Sequence, residues 1–452
     1  MINFIKKKFH HLTKNEFVKH VLTLISGTSV AQFIPIVISP VLTRIYTPED
    51  FSVLGIYISI AIILSEIVTG KFELAVMNTN NEEDKTNVIS LTIMVIGITT
   101  LIFGVLFVLL FERIPFLKTS GSTYWKYLLI PTIAFLGIVK LFTFANIKEK
   151  KYKVISISKV ARSIVQSSLQ IALYFLKYFG LIAGFFIASI IEGIVLLNGN
   201  KKYIKKIKYT KLKLIAKRYA KFPLFDVPSS LFNIGTIQAP IIFIPIYFGS
   251  VYGGLYFHAY KVLMMPISII GGAIGQVFFE QGSLLKNNTQ VFSELVFNTH
   301  KKLFFLSFIP LTIIWVFGDS IFAFIFGEEW RIAGNYAMIM IPWIFFNFLV
   351  SPITFIITIK EKQQIGFMFL SFMSGLRLIG LILGVFYFQD VYMTIMIFSY
   401  VSAISYFIYA TFMIYRYTHF SVLKYWFIVI KYGLPFYIIV IYVKYLLESY
   451  LG

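Results

Sequence analysis

The sequence predicts an all-α integral membrane protein with about twelve transmembrane helices in two six-helix repeats. Of its 452 residues, 58% are hydrophobic and only 13% are charged, which is too apolar for a soluble chain of this size. Its apolar stretches reach the roughly 20 residues that a helix needs to cross a hydrocarbon core about 30 Å thick. An internal repeat is also visible, because Ile147–Lys150 recurs as Ile359–Lys362, each time after a fourth apolar span and before a fifth. Two related six-helix halves in a membrane chain are typical of carriers.

The individual spans follow from the apolar stretches, and only helices satisfy the backbone at these lengths in lipid. In chain order they are 20–42, 52–70, 88–111, 126–147, 154–176, 179–199, 222–248, 254–277, 295–318, 336–359, 364–388 and 392–415. A further apolar stretch at 423–448 is interrupted by Lys431, Gly433, Pro435 and Lys444. It is either an imperfect thirteenth span or an interfacial helix followed by a shallow hairpin.

The predicted domain organisation has five parts. They are a cytoplasmic amphipathic lead-in (1–19), an N-terminal six-helix bundle (20–199), a basic cytoplasmic connector (200–221), a C-terminal six-helix bundle (222–415) and a C-terminal hydrophobic extension (416–452). The lead-in mixes lysines with large apolar residues, as helices that lie on a membrane surface do.

The placement of the basic residues predicts the orientation. With the N-terminus inside, the inner segments hold 28 Lys and Arg residues and the outer loops hold six. This asymmetry follows the positive-inside rule and predicts a cytoplasmic N-terminus. The net charge of +21 is therefore explained by topology and by contact with anionic lipid, and we expect no nucleic-acid partner.

Charged residues inside the spans are the candidates for function, because each costs about 2.5–3.5 kcal/mol on the insertion scale. The basic ones are Lys140, Lys159, Arg162, Lys261 and Arg377, and the acidic ones are Glu66, Glu192, Asp226 and Glu280. In the fifth span Lys159, Arg162, Gln166 and Gln170 keep within about 80° of one helix face. Arg162 lies about 12 Å from the inner end of its span, too deep to reach water easily outside a cavity.

The basic residues at middle depth suit a large anion carried between the halves. Arginine binds phosphate oxygens bidentately and lysine acts as a compact point charge. We therefore predict a substrate site of Arg162, Arg377, Lys159, Lys261 and Gln166. The structural alternative is that Arg162 pairs with Glu192 or Glu66 and that Lys261 pairs with another polar group. Asp226, Glu192 and Glu66 are predicted either as counter-ions or as proton or sodium sites.

Motifs of soluble enzymes are missing from the sequence. It has no cysteine, no phosphate-binding Gly-Lys-Ser/Thr loop and no His/Cys cluster with metal-ligand spacing. We expect neither an enzyme nor a cofactor or metal.

The first 76 residues carry a family resemblance. The runs Gly27–Pro35, Ser39–Phe51 and Gly70–Val76 resemble the opening of bacterial O-antigen and capsular polysaccharide flippases of the Wzx type. These belong to the multidrug/oligosaccharidyl-lipid/polysaccharide exporter superfamily. Lys71 stands where the family motif has arginine.

The resemblance implies a V-shaped pair of six-helix bundles in the bacterial inner membrane. It also implies an undecaprenyl-pyrophosphate-linked oligosaccharide as the substrate, moved outward by alternating access, with coupling to an ion gradient. Partners implied in the same way are membrane lipids, a polysaccharide polymerase and chain-length machinery for O-antigen or capsule.

Two other functions remain as alternatives. A multidrug or organic-cation antiporter of the same fold would prefer an acidic cavity, whereas the excess of charge at middle depth is basic. An integral-membrane glycosyltransferase or polymerase would need longer outer loops than the sequence provides.

Overall fold

The computed structural model describes residues 16–110, 125–200, 203, 212–360 and 362–433, with isolated positions from 435 to 449. Within these ranges every regular element is a helix, which confirms the predicted fold class. Residues 1–15 of the predicted lead-in, residues 201, 202 and 204–211 of the predicted connector and most of 434–452 lie outside the described residues. The last four residues of the predicted lead-in belong to the first helix, which begins at Glu16.

The chain forms two compact units. The N-terminal unit contains the described residues up to Tyr46 together with Val53–Gly235. Its elements are α1 (Glu16–Ile45), α2 (Pro48–Val68), α3 (Phe72–Ala75), a 3₁₀ turn (Val76–Asn78), α4 (Glu82–Leu110), α5 (Trp125–Lys148), α6 (Tyr152–Ala172), a 3₁₀ turn (Tyr174–Leu176), α7 (Tyr178–Asn198), α8 (Leu212–Arg218) and a π turn (Phe222–Asp226) that leads into α9 (Val227–Phe248).

The C-terminal unit contains Thr47–Ser52 and the described residues from Thr236 onward, so α9 crosses the boundary. Its further elements are α10 (Ser250–Pro266), a π turn (Ile267–Gly271), α11 (Gly272–Leu285), α12 (Thr289–Phe326), a 3₁₀ turn (Glu328–Trp330), α13 (Arg331–Val350), α14 (Phe355–Ile359), α15 (Gln363–Ile382), a π turn (Leu383–Phe388), α16 (Val391–Tyr417), α17 (Val422–Ile428) and a π turn (Val429–Gly433).

Ten helical segments of the described chain are long and apolar enough to cross a membrane. Two predicted spans fall outside this group for different reasons. The fifth, α6, contains Lys153, Lys159 and Arg162, so its composition is too polar. The eighth is divided by the π turn after Pro266 into α10 and α11, each shorter than a full span.

The motif Tyr46–Phe51 starts α2 with a capping box. The backbone N–H of Thr47 donates to Asp50 Oδ2 over 3.1 Å, and the N–H of Asp50 donates back to Thr47 Oγ1 over 3.4 Å. Before the cap, the Tyr46 hydroxyl donates to the carbonyl of Gln170 in the N-terminal unit, over 2.6 Å. After it, Phe51 is fully buried in the C-terminal unit against His258 and Trp330.

The described start of the C-terminal extension packs on the C-terminal unit. Tyr425 stacks on the imidazole of His300 in α12, with ring centroids 3.7 Å apart. Trp426 Nε1 donates to Thr411 Oγ1 in α16 over 3.0 Å. Both aromatic residues are buried, so they attach α17 to the bundle.

Candidate substrate site

The central feature of the N-terminal unit is an ion pair between α6 and α7. Arg162 Nη1 lies 2.6 Å from Glu192 Oε2. The Glu192 side chain is only 6% exposed, whereas that of Arg162 is 24% exposed. The guanidinium also lies over the ring of Phe185, 5.0 Å from its centroid. The carboxylate is thus held inside the unit while its arginine keeps an open side.

Two glycines on α7 permit this pairing. A Cβ atom at Gly184 would lie 2.7 Å from Gln170 Cγ, and one at Gly180 would lie 2.2 Å from the Leu173 carbonyl oxygen. Gly180 and Gly184 have the spacing that lets membrane helices approach closely. Their contact with the end of α6 brings Glu192, two turns further along α7, opposite Arg162.

The other members of the predicted stripe on α6 differ from one another. Lys159 is half-buried, and the charges of Glu192 and Arg162 both act on it. Gln166 is half-buried as well. Gln170 is buried, and its Nε2 donates to the Leu181 carbonyl over 3.1 Å. The N-terminal part of the stripe therefore carries charge, and its C-terminal end serves helix packing.

Glu66 and Asp226 lie elsewhere in the N-terminal unit. Glu66 is buried; it accepts from Lys140 Nζ over 2.5 Å and is also paired with Lys71. Lys140 Nζ donates to the Ser65 carbonyl over 3.0 Å as well. Asp226 is half-buried at the end of the π turn before α9, and the charge of Lys71 acts on it. Lys71 thus interacts with both predicted carboxylates, through an ion pair with Glu66 and through its charge on Asp226.

The turn that carries Lys71 is the Gly-Lys-Phe-Glu part of the family motif. Gly70 and Lys71 both have left-handed backbones, with φ of 57° and 59°. Two consecutive residues in this region reverse the chain sharply after α2, and glycine adopts it without strain. The reversal places Lys71 back against Glu66.

The C-terminal unit contains a buried arginine of a different kind. Arg377 on α15 is 2% exposed, and its Nε and Nη2 atoms have no hydrogen-bond partner. Its guanidinium lies over the Tyr406 ring of α16, 4.6 Å from the centroid. No carboxylate of the described chain pairs with it. Ser374, one turn earlier, also has a buried hydroxyl without a partner.

Lys261 on α10 is half-buried and forms no ion pair with a described residue. One turn earlier, His258 is fully buried among aromatic rings, including those of Phe326 and Trp330 at 4.6 Å. The two cations predicted for the C-terminal half thus both lack an acidic partner among the described residues.

Sequence reasoning missed the role of the repeated peptide. Lys148 Nζ donates to the Met77 carbonyl over 2.8 Å, and the equivalent Lys360 Nζ donates to the Lys286 carbonyl over 2.6 Å. Each lysine therefore fixes a backbone carbonyl just beyond a short helix, α3 in one unit and α11 in the other. Glu361, the equivalent of Glu149, lies outside the described residues.

Glu149 of that peptide belongs to a cluster at the start of α4 and the end of α5. Lys85 Nζ lies 2.8 Å from Glu82 Oε1 and 3.0 Å from Glu149 Oε1. The Tyr203 hydroxyl contacts both carboxyl groups, 2.8 Å from Glu82 Oε2. Burial, followed by these two carboxyl groups, raises the pKa of Tyr203 far above its ordinary value. The cluster attaches Tyr203, in the first part of the predicted connector, to the N-terminal bundle.

Groups of three or more side chains able to hold a metal ion are absent from the part of the chain that the structure describes. Each unit contains one arginine that is a candidate for anion binding, Arg162 in the N-terminal unit and Arg377 in the C-terminal unit.

The comparisons identify the class of protein. A profile of the family described as "Polysaccharide biosynthesis protein" matches residues 41–334. The chain therefore belongs to this family, and the resemblance drawn from its first 76 residues is confirmed. A search of curated protein sequences finds no significant match.

Solved structures show the same fold. The structure titled "Lipid II flippase MurJ, inward closed conformation" has a TM-score of 0.68 at 14% identity, covering 96% of this chain and 98% of that one. An inward-facing multidrug resistance MATE family transporter of the MOP superfamily has a TM-score of 0.64 at 11% identity, covering 87% and 94%. A MOP superfamily transporter from Pyrococcus furiosus, whose title describes a binding pocket of reversed polarity, has a TM-score of 0.56 at 12% identity, covering 88% and 95%. The chain is thus a multi-pass membrane protein with the fold of these transporters.

Proposed function

We propose that this protein is a flippase that moves an undecaprenyl-pyrophosphate-linked oligosaccharide across the bacterial inner membrane. The family supports a role in polysaccharide biosynthesis, and the fold supports a transporter. The glycan belongs to a surface polysaccharide, O-antigen or capsule, and alternating access moves it without making or breaking bonds. Polymerase and chain-length machinery are proposed as its partners.

The observation that carries the proposal is the buried guanidinium of Arg377. A buried arginine charge without a carboxylate is costly, and a bound anion lowers that cost. A pyrophosphate headgroup supplies oxygens that arginine binds bidentately. Arg162, with its open side, is the corresponding group in the N-terminal unit. Lys159, Lys261 and Gln166 are the proposed accessory residues of this site.

A cation antiporter of the same fold is the second candidate, and the charges weigh against it. The cations Arg377 and Lys261 have no acidic partner among the described residues. A drug cation would be repelled by both of them. Glu66, a buried carboxylate that pairs with Lys140 of α5 and with Lys71, is already neutralised by these two lysines.

The proposal is tested by deleting the gene and locating the lipid-linked glycan. We expect the undecaprenyl-linked repeat unit to accumulate on the inner leaflet of spheroplasts, where an impermeant lectin or glycosidase cannot reach it. Wild-type protein should restore surface glycan, and an Arg377→Ala variant of equal abundance should not. Normal display of the glycan on the outer leaflet in the deletion strain would refute the proposed function.

We also propose that the N-terminus faces the cytoplasm, because the basic residues concentrate on that side. Single cysteines introduced at 200–221 should resist an impermeant thiol reagent in spheroplasts, whereas cysteines at 319–335 should react. The reverse labelling pattern would overturn this orientation.

A further inference from the structure

The N-terminal arginine centre contains two cations and one carboxylate. Arg162 and Lys159 are one turn apart on α6, and both act electrostatically on Glu192 of α7. Arg162 forms the ion pair at 2.6 Å. Lys159 forms no ion pair within 4.0 Å among the described residues. The three side chains therefore carry a net charge of +1, and the spare charge belongs to Lys159.

This arrangement raises a question for any anion that binds Arg162. A phosphate that takes the guanidinium from Glu192 would leave that carboxylate without a partner. Glu192 is only 4% exposed, and an unpaired buried carboxylate is strongly unfavourable. An anion therefore binds at Arg162 without a large free-energy cost only if another cation takes the place of Arg162 beside Glu192.

Lys159 has the properties that this replacement needs. Positions three residues apart on a helix are neighbours on one face, so Lys159 and Arg162 face the same part of α7. The ammonium group sits on a flexible four-carbon stem and works as a point charge without a fixed direction. A single carboxylate oxygen therefore satisfies it, while the planar guanidinium is better suited to two phosphate oxygens.

We propose that Lys159 is an exchange partner, which pairs with Glu192 when a phosphate group of the substrate takes Arg162. This inference rests on the proposed function, because it assumes an anionic substrate at Arg162. Lys159 then acts as a positioning residue, and Glu192 is paired with a cation both before and after binding. Glu192 keeps Arg162 neutralised while the site is empty.

A double-mutant cycle on the full-length protein tests this role. The probe is undecaprenyl pyrophosphate titrated into detergent-purified protein, with native mass spectrometry giving Kd and with neutral undecaprenol as the control lipid. Lys159→Ala should weaken binding about tenfold, because the displaced Glu192 stays unpaired. Glu192→Gln should bind at least as tightly as wild type. The double variant should match Glu192→Gln within about twofold, because no carboxylate is left to neutralise.

Two further variants serve as controls. Lys153 is an exposed lysine on the same helix, so Lys153→Ala removes an equal charge and should leave Kd unchanged. Lys159→Arg keeps a cation and should restore most of the affinity. Thermal unfolding and gel filtration establish that each variant is folded, and Lys159→Met replaces the alanine variant if the latter aggregates.

The outcomes separate the two proposals. If Lys159→Ala weakens binding equally with and without Glu192, Lys159 contacts the substrate directly, and the exchange role is wrong while the proposed function stands. If Arg162→Ala binds the pyrophosphate normally, Arg162 is no phosphate site, and the exchange role is wrong while Arg377 still supports the proposed function. If wild-type protein does not prefer the pyrophosphate over undecaprenol, the proposed function and the exchange are both overturned.

Discussion

Arg162 and Arg377 lie on helices that follow the two copies of the repeated peptide, yet their surroundings are opposite. Arg162 is a quarter exposed and paired with a buried carboxylate. Arg377 is buried, and part of its hydrogen-bonding capacity is unused. An aromatic ring lies under each guanidinium, Phe185 in the N-terminal unit and Tyr406 in the C-terminal unit.

The difference shows how one repeat can serve two electrostatic purposes. In the N-terminal unit Glu192 neutralises Arg162, so the proposed binding of an anion there is an exchange of partners. In the C-terminal unit no described carboxylate neutralises Arg377, so the proposed binding of an anion lowers the free energy of that centre. We therefore propose that the C-terminal centre supplies affinity for the anion and that the N-terminal centre supports its reversible release.

The largest expected effect is on folding and comes from removing both cations beside Glu192, in the double variant Lys159→Ala/Arg162→Ala. Without either cation the buried Glu192 is unpaired, which should cost about 3 kcal/mol, the low end for broken buried pairs because Arg162 is partly exposed. Less folded protein in the membrane and a lower midpoint of thermal unfolding should result. Glu192→Gln in the same chain should restore both quantities. Arg162→Ala alone should cost less, because Lys159 can then pair with Glu192. Wild-type stability of the double variant would show that the pair contributes little.

For Arg377→Met, the comparison predicts a gain in stability instead of a loss. Methionine keeps an unbranched apolar stem and removes an uncompensated charge and two unsatisfied donors, so the free energy of unfolding should rise by about 2 kcal/mol. Surface glycan should fall at least tenfold, because the anion site is lost. Arg377→Lys is the control: it keeps the charge and should keep part of the export without the gain in stability. A lower thermal midpoint for Arg377→Met would instead identify Arg377 as a structural residue.

The fold class and the charged stripe on α6 followed from the sequence, because apolar length and helical periodicity are local properties. The identity of the ion pair did not. Glu192 and Glu66 were equal candidates for Arg162, and packing decides between them. Gly180 and Gly184 bring α7 onto α6, whereas Lys140 and Lys71 occupy Glu66.

The ring under Arg377 was beyond sequence reasoning for a similar reason. Tyr406 lies on the following helix, and the chain contains 28 tyrosines, so no periodicity selects one of them. The division of the eighth span could be predicted only in part. Pro266 in the sequence marks where the span is divided, but the π turn that follows depends on the contacts with neighbouring helices. The predicted bundle limits around 200–221 stay a prediction, because residues 201, 202 and 204–211 of that connector lie outside the described residues.

The smallest expected effect is the cation–π interaction of each arginine with the aromatic ring under it, Phe185 or Tyr406. Its size in the two units tests the comparison further. A cation over an aromatic face gains about 0.5–1 kcal/mol when exposed and about 2 kcal/mol when desolvated. The coupling between Tyr406 and Arg377 should therefore exceed that between Phe185 and Arg162 by about 1 kcal/mol. Tyr406→Leu and Phe185→Leu, each measured with and without the Arg→Met change on the same unit, give these couplings from thermal unfolding, because the cost of the smaller side chain cancels within each cycle. Tyr406→Phe keeps the ring and should behave as wild type. Equal coupling energies in the two units would mean that the buried guanidinium of Arg377 is stabilised by its ring no more than the partly exposed guanidinium of Arg162. The predicted electrostatic difference between the two centres would then be wrong.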